Sequence, residues 1–243
     1  MSRYEIHLTV SADASDDQLR SWATSRGVKY TRIVLERGQH ASQPMLSWLS
    51  DGTPASAEAG ARRTAAELRS SGFTVTRLKV EAAASGDEAP KTTAEAGLQP
   101  DRYFEHHIKL LLNPGTDLDL VRAIAARYDG HLSRNARRVR DDGVQERFVT
   151  QRCYRIGRAE AAAELARLLD ALTAPDVPSP SALSAPPSTA PSHVVGPSHA
   201  AASSHAVGPS RVVASGEGWL VAEVEEEWVL VDDNPGLDAG WFG

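Results

Sequence analysis

Two seven-residue stretches that lie 100 residues apart, YEIHLTV at 4–10 and FEHHIKL at 104–110, carry the same pattern. Both run aromatic, Glu, any residue, His, aliphatic, polar, aliphatic. Apolar and polar residues alternate with a period of two, which predicts a β-strand with one buried face. A strand pattern that recurs at a fixed offset indicates an internal duplication, and this decides the fold.

The other patterns repeat in the same order at nearly the same offset. In the first half they predict a strand at 4–10, a helix from the capping residues at 13–17 to Gly27, strands at 28–36 and 44–49, a helix at 56–71 and a strand at 73–80. In the second half, helices at 117–128 and 158–172 repeat both of these helices. The order predicts an α+β protein of two tandem ferredoxin-like (β-α-β-β-α-β) halves that form a pseudo-symmetric duplication.

The composition changes four times along the chain and divides it into five segments. They are a first ferredoxin-like half at 1–82, a connector at 83–101, a second half at 102–174, a Pro/Ser/Ala/His-rich linker at 175–215 and an acidic segment at 216–243. The linker holds too little apolar surface to offset its ordering entropy and is predicted to be disordered. The second half lacks a fourth strand directly after its helix, so the acidic segment is expected to supply that strand across the linker.

Composition and charge exclude several classes of protein and of binding site. A single cysteine, Cys153, excludes an intrachain disulfide framework and a Cys-rich zinc site. No apolar run approaches the roughly 20 residues that span a bilayer, and the first residues lack a signal-peptide core. We therefore expect a cytoplasmic protein without membrane contact. The net charge is −6, and the acidic segment carries eight acidic residues and no basic one. This separation of charge predicts an anion-binding body with an acidic element that folds back onto it.

The two matching strands each present a polar face. Because side chains alternate across a strand, one face of the first strand carries Glu5, His7 and Thr9. The same face of the matching strand carries Glu105, His107 and Lys109. Helices cover the apolar faces in a ferredoxin-like half, so the polar faces are expected to oppose each other in a cleft between the halves.

The paired His7-x-Thr9 and His107-x-Lys109 tripeptides on duplicated strands resemble the two-histidine phosphoesterase superfamily. That resemblance implies metal-independent cleavage or ligation of a phosphodiester or a 2′,3′-cyclic phosphate, at an RNA end or in a nucleotide. One histidine would be the general base and the other the general acid, roles that suit a pKa near neutrality. Thr9 would hydrogen-bond a phosphoryl oxygen. Lys109 stands where the family has Thr or Ser, and it would bind phosphate as a point charge.

The stretch from Glu105 to Lys109 also resembles the Glu-x-Glu-x-Lys strand of triphosphate-tunnel enzymes, with His107 in place of the second Glu. This second resemblance implies a tunnel phosphohydrolase. Arginines between 134 and 155 would grip the phosphates, and Glu223 and Glu225 would hold a divalent cation.

The third interpretation, which we favour, is a non-catalytic interaction or regulatory module with an anion-binding cleft between duplicated halves. Its binding residues would be Glu5, Glu105, Arg134 and Arg152. No cofactor is expected and no residue is assigned as a metal ligand. The expected partners are a phosphate-bearing ligand or RNA end, and a protein that binds the Trp-containing acidic C-terminus. The sequence decides neither whether the chain is an enzyme nor whether that C-terminus docks in cis or in trans.

Overall fold

The computed structural model describes residues 2–136, 142–174, 214–216 and 218–242. Its elements are β1 (Ser2–Val10), α1 (Asp16–Ser25), β2 (Lys29–Leu35), β3 (Ser42–Gly52), α2 (Pro54–Ser70), β4 (Val75–Ala83), α3 (Thr93–Gly97), β5 (Tyr103–Leu112), α4 (Leu118–Ala126), β6 (Gly130–Asn135), β7 (Gln145–Tyr154), α5 (Arg158–Thr173), β8 (Ala214–Gly216), β9 (Trp219–Asp232) and a 3₁₀ helix (Pro235–Asp238). The chain is an α+β protein with an antiparallel sheet, which confirms that part of the predicted fold class.

Side-chain caps start both helices of the first half. Helix α1 begins within the predicted capping stretch at 13–17, whereas α2 begins at Pro54, two residues before the predicted 56. The Ser15 hydroxyl accepts a hydrogen bond from the backbone N–H of Gln18 at the start of α1. Thr53 and Ser56 form a reciprocal capping box at the start of α2. These contacts satisfy backbone donors that would otherwise lack a partner. Gly27, with φ +65°, ends the turn after α1 in the left-handed region that favours glycine.

The strands of the sheet close into a barrel. Within residues 2–83 the strand order is β4-β1-β3-β2, and the later strands follow as β6-β7-β5-β9. The edge strands β2 and β6 pair with each other, and so do β4 and β9. Eight antiparallel strands therefore form a closed ring, and the short strand β8 pairs with the first residues of β9. Closure gives each edge strand of the two halves a partner in the other half, along part of its length.

Two apolar clusters lie between the barrel and its helices. The first joins Tyr4, Ile6 and Leu8 of β1 to the alanines and Leu68 of α2. The second joins Ile108, Leu110 and Leu112 of β5 to α4 and α5. Each fully buried Leu, Ile or Phe side chain contributes about 1.5–3 kcal/mol by leaving water. Because the apolar residues of β1 and β5 face the helices, their polar residues face the barrel interior.

Several boundaries differ from the sequence prediction, and two elements, β6 and α3, were not predicted. Strand β6 has no predicted counterpart, because His131, Ser133 and Arg134 interrupt its apolar pattern. Strand β3 extends to Gly52, well beyond the predicted 44–49, since both β1 and β2 supply hydrogen-bonding partners. The connector at 83–101 contains α3. The predicted linker at 175–215 lies, up to residue 213, outside the described residues.

The polar faces of the two histidine strands meet inside one barrel instead of across an open cleft. Pairing of β2 with β6 and of β4 with β9 joins the sheet edges, which two separately packed halves would leave apart. In the part of the chain that is described, no helix is long and apolar enough to cross a membrane.

Candidate functional site

A chamber of about 510 Å³ occupies the barrel interior. Its walls carry the polar residues of β1, β4, β5, β7 and β9. Lys29 and Glu225 line it and are exposed, so the chamber is open to solvent beside them. Asp238 and Trp241 of the C-terminal segment also form part of its wall. The volume lies within the range of small-molecule sites.

The two histidines of the matching strands make equivalent contacts in the chamber. His7 Nδ1 lies 2.9 Å from the Ser47 hydroxyl oxygen, and His107 Nδ1 lies 3.1 Å from the Thr150 hydroxyl oxygen. Ser47 and Thr150 are the cross-strand neighbours of the two histidines on β3 and β7. Because each Nδ1 atom is held by a hydroxyl group, each Nε2 atom points toward carboxylates.

Four glutamates surround these Nε2 atoms, and they form two cross-strand pairs. Glu5 on β1 pairs with Glu81 on β4, and Glu105 on β5 pairs with Glu227 on β9. His7 Nε2 lies 2.6 Å from Glu81 and 3.8 Å from Glu5. His107 Nε2 lies 3.6 Å from Glu105 and 3.5 Å from Glu227.

The neighbouring carboxylates determine the protonation of both histidines. Burial alone lowers the pKa of His107, but the carboxylates of Glu105 and Glu227 raise that pKa well above its usual value. Burial also opposes protonation of His7, while Glu81 raises its pKa. The carboxylates thus favour the protonated form of both rings. A protonated imidazole donates a proton and cannot accept one, so general-base catalysis would require loss of this pairing.

A cluster of arginines and acids closes the other side of the chamber. Asp238 Oδ2 accepts hydrogen bonds from Arg77 Nη1 at 2.8 Å and from Arg152 Nη2 at 2.6 Å. Asp238 Oδ1 accepts one from Gln43 Nε2 at 2.8 Å. Arg77 also binds Asp232 at the end of β9, with Nε to Oδ1 at 2.8 Å. Burial raises the pKa of Asp238, but Arg77 and Arg152 outweigh it and hold that pKa below its usual range.

The C-terminal segment therefore docks in cis. The Trp241 indole N–H donates to the carbonyl of Leu132 at 3.1 Å, and Arg37 donates to the carbonyl of Trp241 at 3.3 Å. Trp228 and Trp241 are 0% and 5% exposed. We expected exposed aromatics here to serve a protein partner, but these tryptophans are buried against the barrel because acids and aromatics alike find partners within the chain.

Seven of the eight residues predicted to be catalytic or to bind the anion line the chamber. They are Glu5, His7, Thr9, Glu105, His107, Arg134 and Arg152. Lys109 is not part of this lining, and its ammonium group lies 3.9 Å from Glu146 and 3.8 Å from Glu223. Arg152 donates to Glu105 Oε1 at 2.7 Å, so two of the predicted binding residues bind each other.

The sequence did not predict three charged residues of the site, namely Glu81, Glu227 and Asp238. Glu81 and Glu227 follow from the period-two pattern once β4 and β9 are extended to their full length. Asp238 carries no such signal, since its position depends on how the residues after β9 cross the barrel end.

No protein-family model and no curated protein matches the sequence. Among solved structures, the chain is similar to the acetolactate synthase small subunit from Thermotoga maritima at 11% identity, over 68% of this chain and 86% of that chain, with a TM-score of 0.26. It is similar to the regulatory subunit of aspartate kinase from Thermus thermophilus at 11% identity, over 70% of this chain and 91% of that chain, with a TM-score of 0.22. Similarity at this level carries no argument about the chamber.

Proposed function

We propose that this chain is a non-catalytic regulatory module that binds a small anion in the chamber of a barrel built from two duplicated halves. The anion binds Arg77 and Arg152, and the carboxylate of Asp238 competes with it from the same chain. Anion binding displaces Asp238 and releases the C-terminal segment. This release is the conformational change by which the module responds to the anion.

The contact between Asp238 and the two arginines carries the proposal. Two guanidinium groups and one amide converge on a single carboxylate, which is the arrangement that recognises carboxylate or phosphate groups. Arg77 and Arg152 come from different halves of the barrel, on β4 and β7. The same donors fit an external anion of similar charge, because guanidinium groups bind carboxylates and phosphates in similar geometry.

The position of the arginines supports access by a ligand. Both line the same chamber as the exposed Lys29 and Glu225, so an anion that enters from solvent reaches them without crossing the barrel wall. Lys29 is a positive group at this entry. An intramolecular carboxylate has a high effective concentration, so a ligand must offer more charge or more contacts than Asp238 to displace it.

Calorimetric titration of the full chain in the presence of EDTA tests this proposal. The probes are inorganic phosphate, inorganic triphosphate, citrate and 2′,3′-cyclic AMP. We expect saturable binding of at least one probe. That binding should weaken at least about tenfold in Arg77→Met and in Arg152→Met, as loss of a charged hydrogen bond predicts. Arg62→Met is the matched control, since Arg62 is exposed on α2.

Two results would overturn the proposal. One is the absence of binding of all four probes to folded protein. The other is binding that Arg77→Met and Arg152→Met leave unchanged. Conversion of the cyclic phosphate during the titration, lost in both His7→Ala and His107→Ala, would instead establish the phosphoesterase interpretation.

A further inference from the structure

Five acid and imidazole groups of the chamber form a second cluster beside the arginines. Two sets of donor atoms lie within 4.8 Å of one another: Glu5, His7 and Glu227, and Glu105, His107 and Glu227. Glu227 belongs to both sets. We propose that these two triads bind divalent transition-metal ions of the Zn²⁺ or Mn²⁺ class, with Glu227 as the shared ligand.

The orientation of the histidines is the first observation behind this site. Each ring uses Nδ1 to contact a hydroxyl group and presents Nε2 to the carboxylates. Histidines that bind metals are commonly oriented in this way, by a hydrogen bond from the other ring nitrogen. Ser47 and Thr150 occupy equivalent positions opposite the two histidines, so both halves provide the same orientation.

The second observation concerns the charged partners of the triad carboxylates. Among the described residues, Glu5 and Glu227 form ion pairs with histidine alone. Glu105, by contrast, is already ion-paired with Lys79 and Arg152. No Lys or Arg of the described chain lies within ion-pair distance of Glu5 or Glu227. Buried carboxylates need compensating charge, and a divalent ion supplies two positive charges at one point.

The donor types select the class of metal. Imidazole nitrogen suits zinc and other late transition metals, whereas carboxylate oxygen also suits manganese. A calcium site is disfavoured, because calcium takes six to eight oxygen ligands and the two histidines supply nitrogen. A carboxylate common to two ligand sets is the arrangement found where two metal ions lie side by side.

The metal site goes beyond the anion-binding proposal. Arg77, Arg152 and Asp238 belong to neither triad, and the two sites meet at the ion pair of Arg152 with Glu105. The anion titrations are made in EDTA, so a failure of metal binding and a failure of anion binding are separate results.

The test uses the full chain after removal of metal with EDTA. Zn²⁺ binding is measured by calorimetry, and Co²⁺ is used as a spectroscopic probe because its visible absorption reports nitrogen and oxygen ligation. We expect saturable binding of one or two ions per chain, and a rise in melting temperature with Zn²⁺. Glu227→Gln should weaken binding at least about tenfold. Glu226→Gln, its exposed neighbour on β9, is the matched control.

Ser47→Ala and Thr150→Val provide a second set of variants that leave every ligand in place. If these hydroxyls orient the histidines, each variant should weaken Zn²⁺ binding about 10–100-fold and alter the Co²⁺ spectrum. The proposal is overturned if the folded chain shows no saturable binding. It is also overturned if binding survives unchanged in Glu227→Gln and in the double variant His7→Ala/His107→Ala.

Discussion

Glu81 and Glu227 occupy matching positions on β4 and β9, opposite Glu5 and Glu105, yet their pKa values move in opposite directions. Burial raises the pKa of both carboxyls. For Glu81, Lys79 and His7 outweigh burial and lower the pKa to about 2. For Glu227, burial and the nearby charge of Glu81 raise the pKa to about 7. Lys79, which contacts Glu81 and Glu105, therefore breaks the electrostatic symmetry of the chamber.

The first prediction concerns Lys79. In Lys79→Met, Glu81 and Glu105 lose a buried cation that contacts both of them. We expect the free energy of unfolding at pH 7 to fall by about 3–5 kcal/mol, because removal of one partner leaves a buried charge uncompensated. Urea unfolding measures the change. Lys29→Met is the control, and its exposed position predicts a change within about 0.5 kcal/mol. Equal effects of the two variants would contradict the structure.

The second prediction is the pH dependence of the Asp238 contact. The pKa of Asp238 in the folded protein is held below its ordinary value of 3.8, with burial opposing this shift and Arg77 and Arg152 producing it. A lowered folded-state pKa gives stability that is present above pH 3.8 and is lost as the pH falls through the folded-state pKa. The other polar groups in contact with this cluster are Asp232, Tyr103, Gln43 and Glu105.

The measurement compares wild type with Asp238→Asn by urea unfolding at pH 7, 5 and 3. We expect the wild type to be more stable by about 1.5–3 kcal/mol at pH 7 and pH 5, the range for hydrogen bonds to charged groups. The gap should narrow at pH 3. A gap that is constant across the three pH values would show that the carboxylate is not held by the arginines.

The third prediction tests closure of the barrel by β9. This strand pairs with β5 along ten residues and with β4 along five. If a protease site is introduced near residue 195 and cut, we expect both fragments to co-elute on size exclusion, held by two strand ladders. The matched variant carries Val229→Pro, at a position that pairs with both Glu81 and Tyr103. Proline cannot donate to a ladder inside a sheet, so these fragments should separate.

The fourth prediction concerns the face of β1 that contacts α2. Leu8 is fully buried, and its truncation to alanine should lower the free energy of unfolding by about 2–5 kcal/mol. Leu49→Ala on the neighbouring β3 is the control, because Leu49 is 54% exposed and its truncation should have little effect. Chemical unfolding of both variants decides whether the apolar face of β1 points toward α2, as the interior position of His7 requires.

The period-two pattern around His7 and His107 was enough to predict two strands with matching faces and the α+β class. The pattern could not predict closure of the barrel, which requires β2 to pair with β6 and β4 to pair with β9. These pairings join strands that are distant in the sequence, and no sequence motif marks them. The sequence identified His7 and His107 but not Glu227, since β9 is separated from its partners by long stretches of chain. Asp238 was missed because its position depends on how the residues after β9 cross the barrel end.

The most direct test of the proposed anion site is the affinity of the chamber for an anion when the charge of Asp238 is removed. The full chain and the Asp238→Asn variant would be titrated by calorimetry in EDTA with the probe that binds best to wild type. If Arg77 and Arg152 form the anion site and Asp238 competes for it, the variant should bind at least about tenfold more tightly, which corresponds to about 1.4 kcal/mol. Equal or weaker binding by the folded variant would contradict the account.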